Sequence, residues 1–196
     1  MKRLAGLSIL AILTASIAVS AQDASKPHPY YPLKTGAEWK YKVQGGPITV
    51  KVTGPEKVGM VSGFKLETSA NNKVSATETV AVTEEGVKRF NVNGLNPEAP
   101  ILFLPMDPTA TKEWSVDTKV AGQTIKGTFK VNTEKVTVPL ATYDNAIHVK
   151  GTDMEIGATK TTVEYWFVKD VGIVKLRFTL GSQDATLELE SYTPGK

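Results

Sequence analysis

From residue 30 onward, hydrophobic and polar positions alternate with a period of two along almost the whole chain. Trp39, Tyr41 and Val43 alternate with Lys40, Lys42 and Gln44, and Ile48, Val50 and Val52 with Thr49, Lys51 and Thr53. The same pattern holds for Phe64 and Leu66, for Ile125, Phe129 and Val131, and for Val163, Tyr165 and Phe167. It returns in Val174, Leu176, Phe178 and Leu180, and again in Leu187 and Leu189. Successive strand side chains point to opposite faces, so this is the signature of strands with one face buried and one wet. Short runs of turn formers separate the segments: Gly45-Gly46, Gly54-Pro55, Asn71-Asn72, Glu84-Glu85-Gly86, Ala121-Gly122, Asp144-Asn145 and Gly181-Ser182. No window after the first twenty residues sustains a helical repeat. The pattern predicts an all-β protein of about a dozen strands, arranged as a strongly curved antiparallel sheet, a half-barrel or a barrel.

Two stretches align in order. YYPLKTGAEWKYKV carries Pro32, Leu33, Glu38 and Trp39, and LFLPMDPTATKEWSV carries Pro105, Met106, Glu113 and Trp114. Glu56-Lys57-Val58 is answered by Glu134-Lys135-Val136, and EEGVKRF by KDVGIVKLRF. The reading is a β-meander used twice, with a Glu-Trp step opening each half. It predicts one β domain over 30–193, with halves over about 30–95 and 103–193. Asn91 to Pro100 would connect them. Each half alone would leave an unpaired edge, and joining two hides those edges.

The start of the chain changes the charge balance. Met1-Lys2-Arg3 is followed by an uncharged run from Leu4 to Val19, and Val19-Ser20-Ala21 places small residues at a cleavage site. The run is shorter than the roughly 18 residues of a spanning helix. A signal peptide over 1–21, cleaved before Gln22, is expected, then a flexible lead-in over 22–29 that contains His28. Removing Lys2 and Arg3 with the leader takes the net charge from +3 to +1. That balance gives no electrostatic reason to bind nucleic acid or anionic lipid. With no cysteine for lipid attachment, the expected location is periplasmic or secreted, without a membrane span after cleavage.

The absence of cysteine also excludes disulfides, thiolate zinc sites, iron–sulfur clusters and cysteine nucleophiles. Two histidines exclude a polyhistidine metal centre. His148 reads as a surface residue, because nothing with ligand spacing accompanies it. Asp153 with Glu155 and Glu188 with Glu190 stand two apart on strands, the placement a glycan hydrolase would need, but they read better as solvated faces. No catalytic residue, metal ligand or cofactor site is assigned. The candidate binding residues are aromatic: Trp39, Tyr41, Trp114, Phe129, Tyr165 and Phe167. On one reading they line an apolar cavity, and on the other they fill a packed core, with Trp166 on the opposite phase covering an edge.

Some of these residues carry a resemblance. The opening Pro32, Leu33, Gly36, Trp39 and Tyr41, the segment Val138-Pro139 with Thr142 and Tyr143, and Tyr165, Trp166, Gly172, Val174 and Lys175 are similar to an uncharacterised family of exported bacterial β-proteins. Its motifs read P-L-x-x-G-x-x-W-x-Y, V-P-A-G-x-F and Y-W-Y-A-P-G-V-G-x-V-K. Leu140-Ala141 and Lys169-Asp170 depart from them. The resemblance implies a fold like the half-barrel of the periplasmic lipoprotein carriers, which hold acyl chains on a concave apolar face, and no established activity. The expected function is therefore a non-enzymatic envelope protein that binds a lipid or lipoprotein. The alternative is a structural or protein-interaction module in the envelope. Oligomeric state is left open.

Overall fold

The computed structural model describes residues 27–196. The expected signal peptide and residues 22–26 of the lead-in lie outside the described residues. The chain forms twelve strands and no helix among the described residues. They are β1 (Glu38–Lys42), β2 (Ile48–Val58), β3 (Val61–Ala70), β4 (Lys73–Thr83), β5 (Gly86–Val92), β6 (Ile101–Pro105), β7 (Glu113–Val120), β8 (Gln123–Thr137), β9 (Thr142–Ile156), β10 (Thr159–Val168), β11 (Gly172–Leu180) and β12 (Gln183–Thr193).

All twelve belong to one sheet, in the order β6-β5-β4-β3-β2-β1-β12-β11-β10-β9-β8-β7, and every paired neighbour is antiparallel. The first six strands form one meander and the last six another. The two are joined by the β1–β12 ladder, where Trp39 faces Tyr192. The sheet curls until β6 and β7 meet, so the barrel is nearly closed. At this seam Glu98 N–H donates to Lys119 O (2.9 Å). Thr118 Oγ1 accepts from Ala99 N–H and donates to Ala99 O, both at 2.9 Å. Trp114 Nε1 donates to Leu102 O (3.0 Å). Near-closure removes the exposed edges that each meander would present alone.

Several hairpins are tight because their turn residues accept a positive φ. Asn71-Asn72 (51° and 60°) and Ala121-Gly122 (50° and 78°) are positive at both central positions, as type I′ turns require. Two expected turns are not turns. Gly54-Pro55 lies inside β2, where the register with β3 shifts between Val52 and Gly54. Asp144-Asn145 lies inside β9, opposite the shift between Glu134 and Val136. A bulge admits an extra residue and tolerates Gly or Pro, so these residues bend strands rather than end them.

The apolar phases face inward as expected. Val52, Leu66, Val80, Val87, Val149, Val174 and Leu189 are all buried. The hairpin geometry gives the barrel two unlike ends. The turns after β2, β4, β6, β8 and β10 sit at the end where β1 begins and β12 finishes. The turns after β1, β3, β5, β7, β9 and β11 sit at the other. Among the described residues no helix is long and apolar enough to cross a membrane.

Candidate functional site

The end where β1 begins and β12 finishes is closed by aromatic side chains. Tyr31 stacks on Trp39 at 6.2 Å and meets Phe103 (5.4 Å) and Phe167 (6.3 Å) edge-on. Trp39 stacks on Tyr192 and donates its indole N–H to Val171 O (2.6 Å). Tyr41 donates to Ile173 O (2.8 Å). The polar atoms of Trp39 and Tyr41 are thus satisfied by backbone, and their apolar surfaces are left for packing. His28 belongs to this floor. Its ring is buried and Nε2 lies 2.9 Å from Pro105 O, while Pro29 O accepts from Asp170 N–H. The sequence places these two residues in a flexible lead-in, but here they tie the lead-in to the β6 and β10–β11 ends. Burial is the larger influence on His28 and holds its pKa below the ordinary 6.5.

Above the floor the interior is not filled. Two cavities of about 380 Å³ each lie inside the barrel, within the size range of small-molecule sites. One rests on Tyr31, Trp39 and Tyr41 and reaches Ile48 and Thr68. The other is walled by Phe103, Val116, Phe129 and Met154 and extends to Ile156 and Leu180. The last two are exposed and immediately precede the hairpin turns of the opposite end, so the lumen opens there.

The two cavities share Glu78, Arg89, Tyr165, Leu176 and Phe178. Among the described residues, Glu78 and Arg89 are the only charged ones that line either cavity. Arg89 Nε lies 3.0 Å from Glu78 Oε1, and Nη1 reaches Tyr165 OH at 3.5 Å. The guanidinium stands 4.4 Å over the Phe103 ring. Burial opposes its charge, but Glu78 and the hydroxyls of Tyr165 and Tyr31 outweigh that and keep its pKa above the ordinary range. Arg89 comes from β5 and Tyr165 from β10, so their contact spans the lumen and divides it in two.

The six aromatic candidates fall into three groups. Trp39, Tyr41, Phe129 and Tyr165 line the cavities. Phe167 is fully buried in the floor. Trp114 is half-buried and stacks on Phe129 at 5.1 Å beside the seam. Glu78 and Arg89 are not singled out by the sequence reading. Their signal was available, because Glu78 shares its phase with Val80 and Val82, and Arg89 shares its phase with Val87.

The outer face holds a second charged cluster. His148 is buried there, which corrects the expectation of an exposed histidine. Its ring stacks on Trp166 at 4.4 Å, Nε2 lies 3.0 Å from Glu164 Oε2, and Nδ1 lies 3.1 Å from Asn132 Oδ1. Trp166 covers this histidine rather than an edge, and donates to Glu134 Oε1 (2.6 Å). Glu164 is also buried and accepts from Arg177. Burial pushes the Glu164 pKa up, but Arg177, Lys150 and His148 together carry it below its ordinary value. These groups satisfy one another across adjacent strands and leave no open cleft.

The carboxylate pairs do not converge. Glu155 pairs with Lys126 (3.0 Å) and Glu188 with Lys175 (2.8 Å), while Asp153 and Glu190 are exposed. Asp153 has φ 51° at a bulge, which breaks the expected shared face with Glu155. A concavity of about 390 Å³ outside β2–β5 is lined by polar residues, and its Thr79 hydroxyl donates to Glu56. Among the described residues no group of three or more acidic or histidine side chains has a metal-binding arrangement.

No protein-family model matches the chain, and no curated protein matches it. Two solved structures are similar to it at low identity. One, from Bacteroides fragilis, is described as an exported protein with a YmcC-like fold. It is 13% identical over 84% of this chain and 98% of that one, with a TM-score of 0.45. The other, from Parabacteroides distasonis, is described as a lipoprotein. It is 14% identical over 86% of this chain and all of that one, with a TM-score of 0.43.

Proposed function

We propose that this is an exported binding protein whose barrel lumen holds an apolar, chain-like ligand. The observation that carries the reading is the unfilled interior: two cavities of about 380 Å³ inside a barrel closed at one end by Tyr31 and Trp39. Protein interiors pack to crystal-like density, so a core designed only for stability would fill this space. Export rests on the Met1 to Ala21 segment, and binding of an envelope lipid follows from that location. The reading uses the lumen as a container and assigns no reaction to any residue.

The test is direct. The mature protein is titrated with the neutral fluorophore N-phenyl-1-naphthylamine, and its organic extract is analysed by mass spectrometry. Saturable enhancement of fluorescence, abolished by filling the cavity with Val116→Trp, supports the reading. No enhancement, together with a lipid-free extract, removes it.

A further inference from the structure

We infer that the lumen selects its ligand by the polar end, and that this end is the carboxyl group of a single acyl chain, held at Arg89 and Tyr165. The inference rests on the lumen being the binding site and goes on to say what enters it. Among the described residues, Arg89 is the one cationic group that lines the cavities. A guanidinium carries five N–H donors and no acceptor. Here Nη1 makes one long contact, 3.5 Å, to Tyr165 OH. Nε is buried and finds no aligned acceptor in the chain, although Glu78 Oε1 stands 3.0 Å away. Even with Glu78 beside it, the guanidinium has more donors than the lining gives it acceptors. The group that completes it must accept hydrogen bonds, and a carboxyl group matches the planar fork of Arg.

Charge narrows the class further. Glu78 already balances the charge of Arg89, so a doubly charged phosphate head would leave two uncompensated negative charges in a low-dielectric lumen, where a carboxylate leaves at most one. A cationic head finds Glu78 but must lie against Arg89. A carboxyl group, as the free acid or as an acyl ester carbonyl, accepts from Arg89 and Tyr165 with at most one added charge. The rest of the lining sets the shape of the remainder. Arg89 and Tyr165 stand where the two cavities meet, and the walls on either side carry Leu176, Phe178 and Phe129. A hydrocarbon chain fits those walls, and one chain rather than two suits cavities of this size.

The experiment uses displacement of N-phenyl-1-naphthylamine from the mature protein by palmitate, methyl palmitate and hexadecylamine. Palmitate should displace the fluorophore, and hexadecylamine should be weaker by about tenfold or more, as loss of a charge-assisted hydrogen bond predicts. Methyl palmitate distinguishes the two sources: equal displacement means the acyl carbonyl suffices, and weaker displacement means the free acid is preferred. Arg89→Met should lower palmitate affinity by a similar factor, read as a ratio to the same variant's affinity for the fluorophore. Because that change strands Glu78, the double variant E78Q/R89M is made as well, and it should behave the same way. Glu78→Gln alone should strengthen palmitate binding. Palmitate binding that is unchanged in both Arg89 variants overturns the carboxyl assignment and leaves the lumen reading intact. Equal displacement by hexadecylamine and palmitate does the same. Failure of the wild-type protein to bind the fluorophore, together with a lipid-free extract, overturns the lumen reading first.

Discussion

Most of the bonds that close the barrel at the β6–β7 seam come from side chains, and Thr118 is the place to test that closure. Thr118→Val keeps the branched shape and the buried methyl but removes the hydroxyl that bonds both Ala99 N–H and Ala99 O at 2.9 Å. Each such bond contributes about 1 kcal/mol net, so the pair is worth about 2 kcal/mol. Ala99 is exposed, so its freed backbone groups reach water and the cost stays near that figure rather than rising to the penalty of buried orphans. For a domain of this size, about 2 kcal/mol lowers the thermal midpoint by about 4–8 °C. The location of the effect matters more than its size. Amide exchange should quicken in β6 and β7 and in the 98–99 segment, with the β1–β12 ladder unchanged until global unfolding. Thr118→Ser keeps the hydroxyl and should retain most of the stability. A Thr118→Val protein whose exchange rises uniformly, or whose midpoint does not move, would refute the view that these bonds hold the seam shut.

Other predictions follow from the floor, the outer cluster and one turn. His28 has a folded pKa below 6.5, so the unfolded chain binds more protons as pH falls through that value. The stability His28 protects is complete above about 6.5 and is lost toward its folded pKa, and His28→Gln should flatten that part of a midpoint-against-pH curve. Glu164 has a lowered pKa, so its contribution is complete above 4.5 and lost on further acidification. Arg177→Met should cost about 1–3 kcal/mol in urea unfolding at neutral pH and shift the acid limb. Gly86 has φ 138°, and a Cβ there would stand 2.7 Å from Met106 N, so Gly86→Ala should cost at least about 2 kcal/mol. Gly94→Ala has open space around it and should cost only about 1 kcal/mol for its φ of 81°.

Much of the architecture could be read from period-two alternation, because each strand buries one face. The inward sets through Val174 and Leu189 follow their phases, and Glu38-Trp39 and Glu113-Trp114 do open β1 and β7. Bulges were harder to foresee. A Gly-Pro or Asp-Asn step is a turn in most contexts, and only the partner strand decides that it bends rather than breaks. His148 misled for a related reason. Its phase is correctly outward, but outward is not exposed when Trp166 lies flat across it. Arg89 and Glu78 were legible as charges on apolar phases. What alternation could not show is that they meet, since that requires knowing how β4, β5 and β10 face one another across a hollow interior.

The order of strands also says something about where this molecule is cut. Lys196 N–H donates to Thr35 O at 3.1 Å, so the last residue lies beside the segment that leads into β1, while the gap in the sheet falls at the middle of the sequence. Joining the ends and opening the chain between Pro105 and Glu113 would turn the barrel into a single twelve-stranded meander. Every ladder would then link consecutive strands. The native chain must bring β1 and β12 together across nearly its whole length, and the permuted chain would not. The permutant should therefore reach the same barrel faster, and the native arrangement holds its longest-range pairing until its last strand is available.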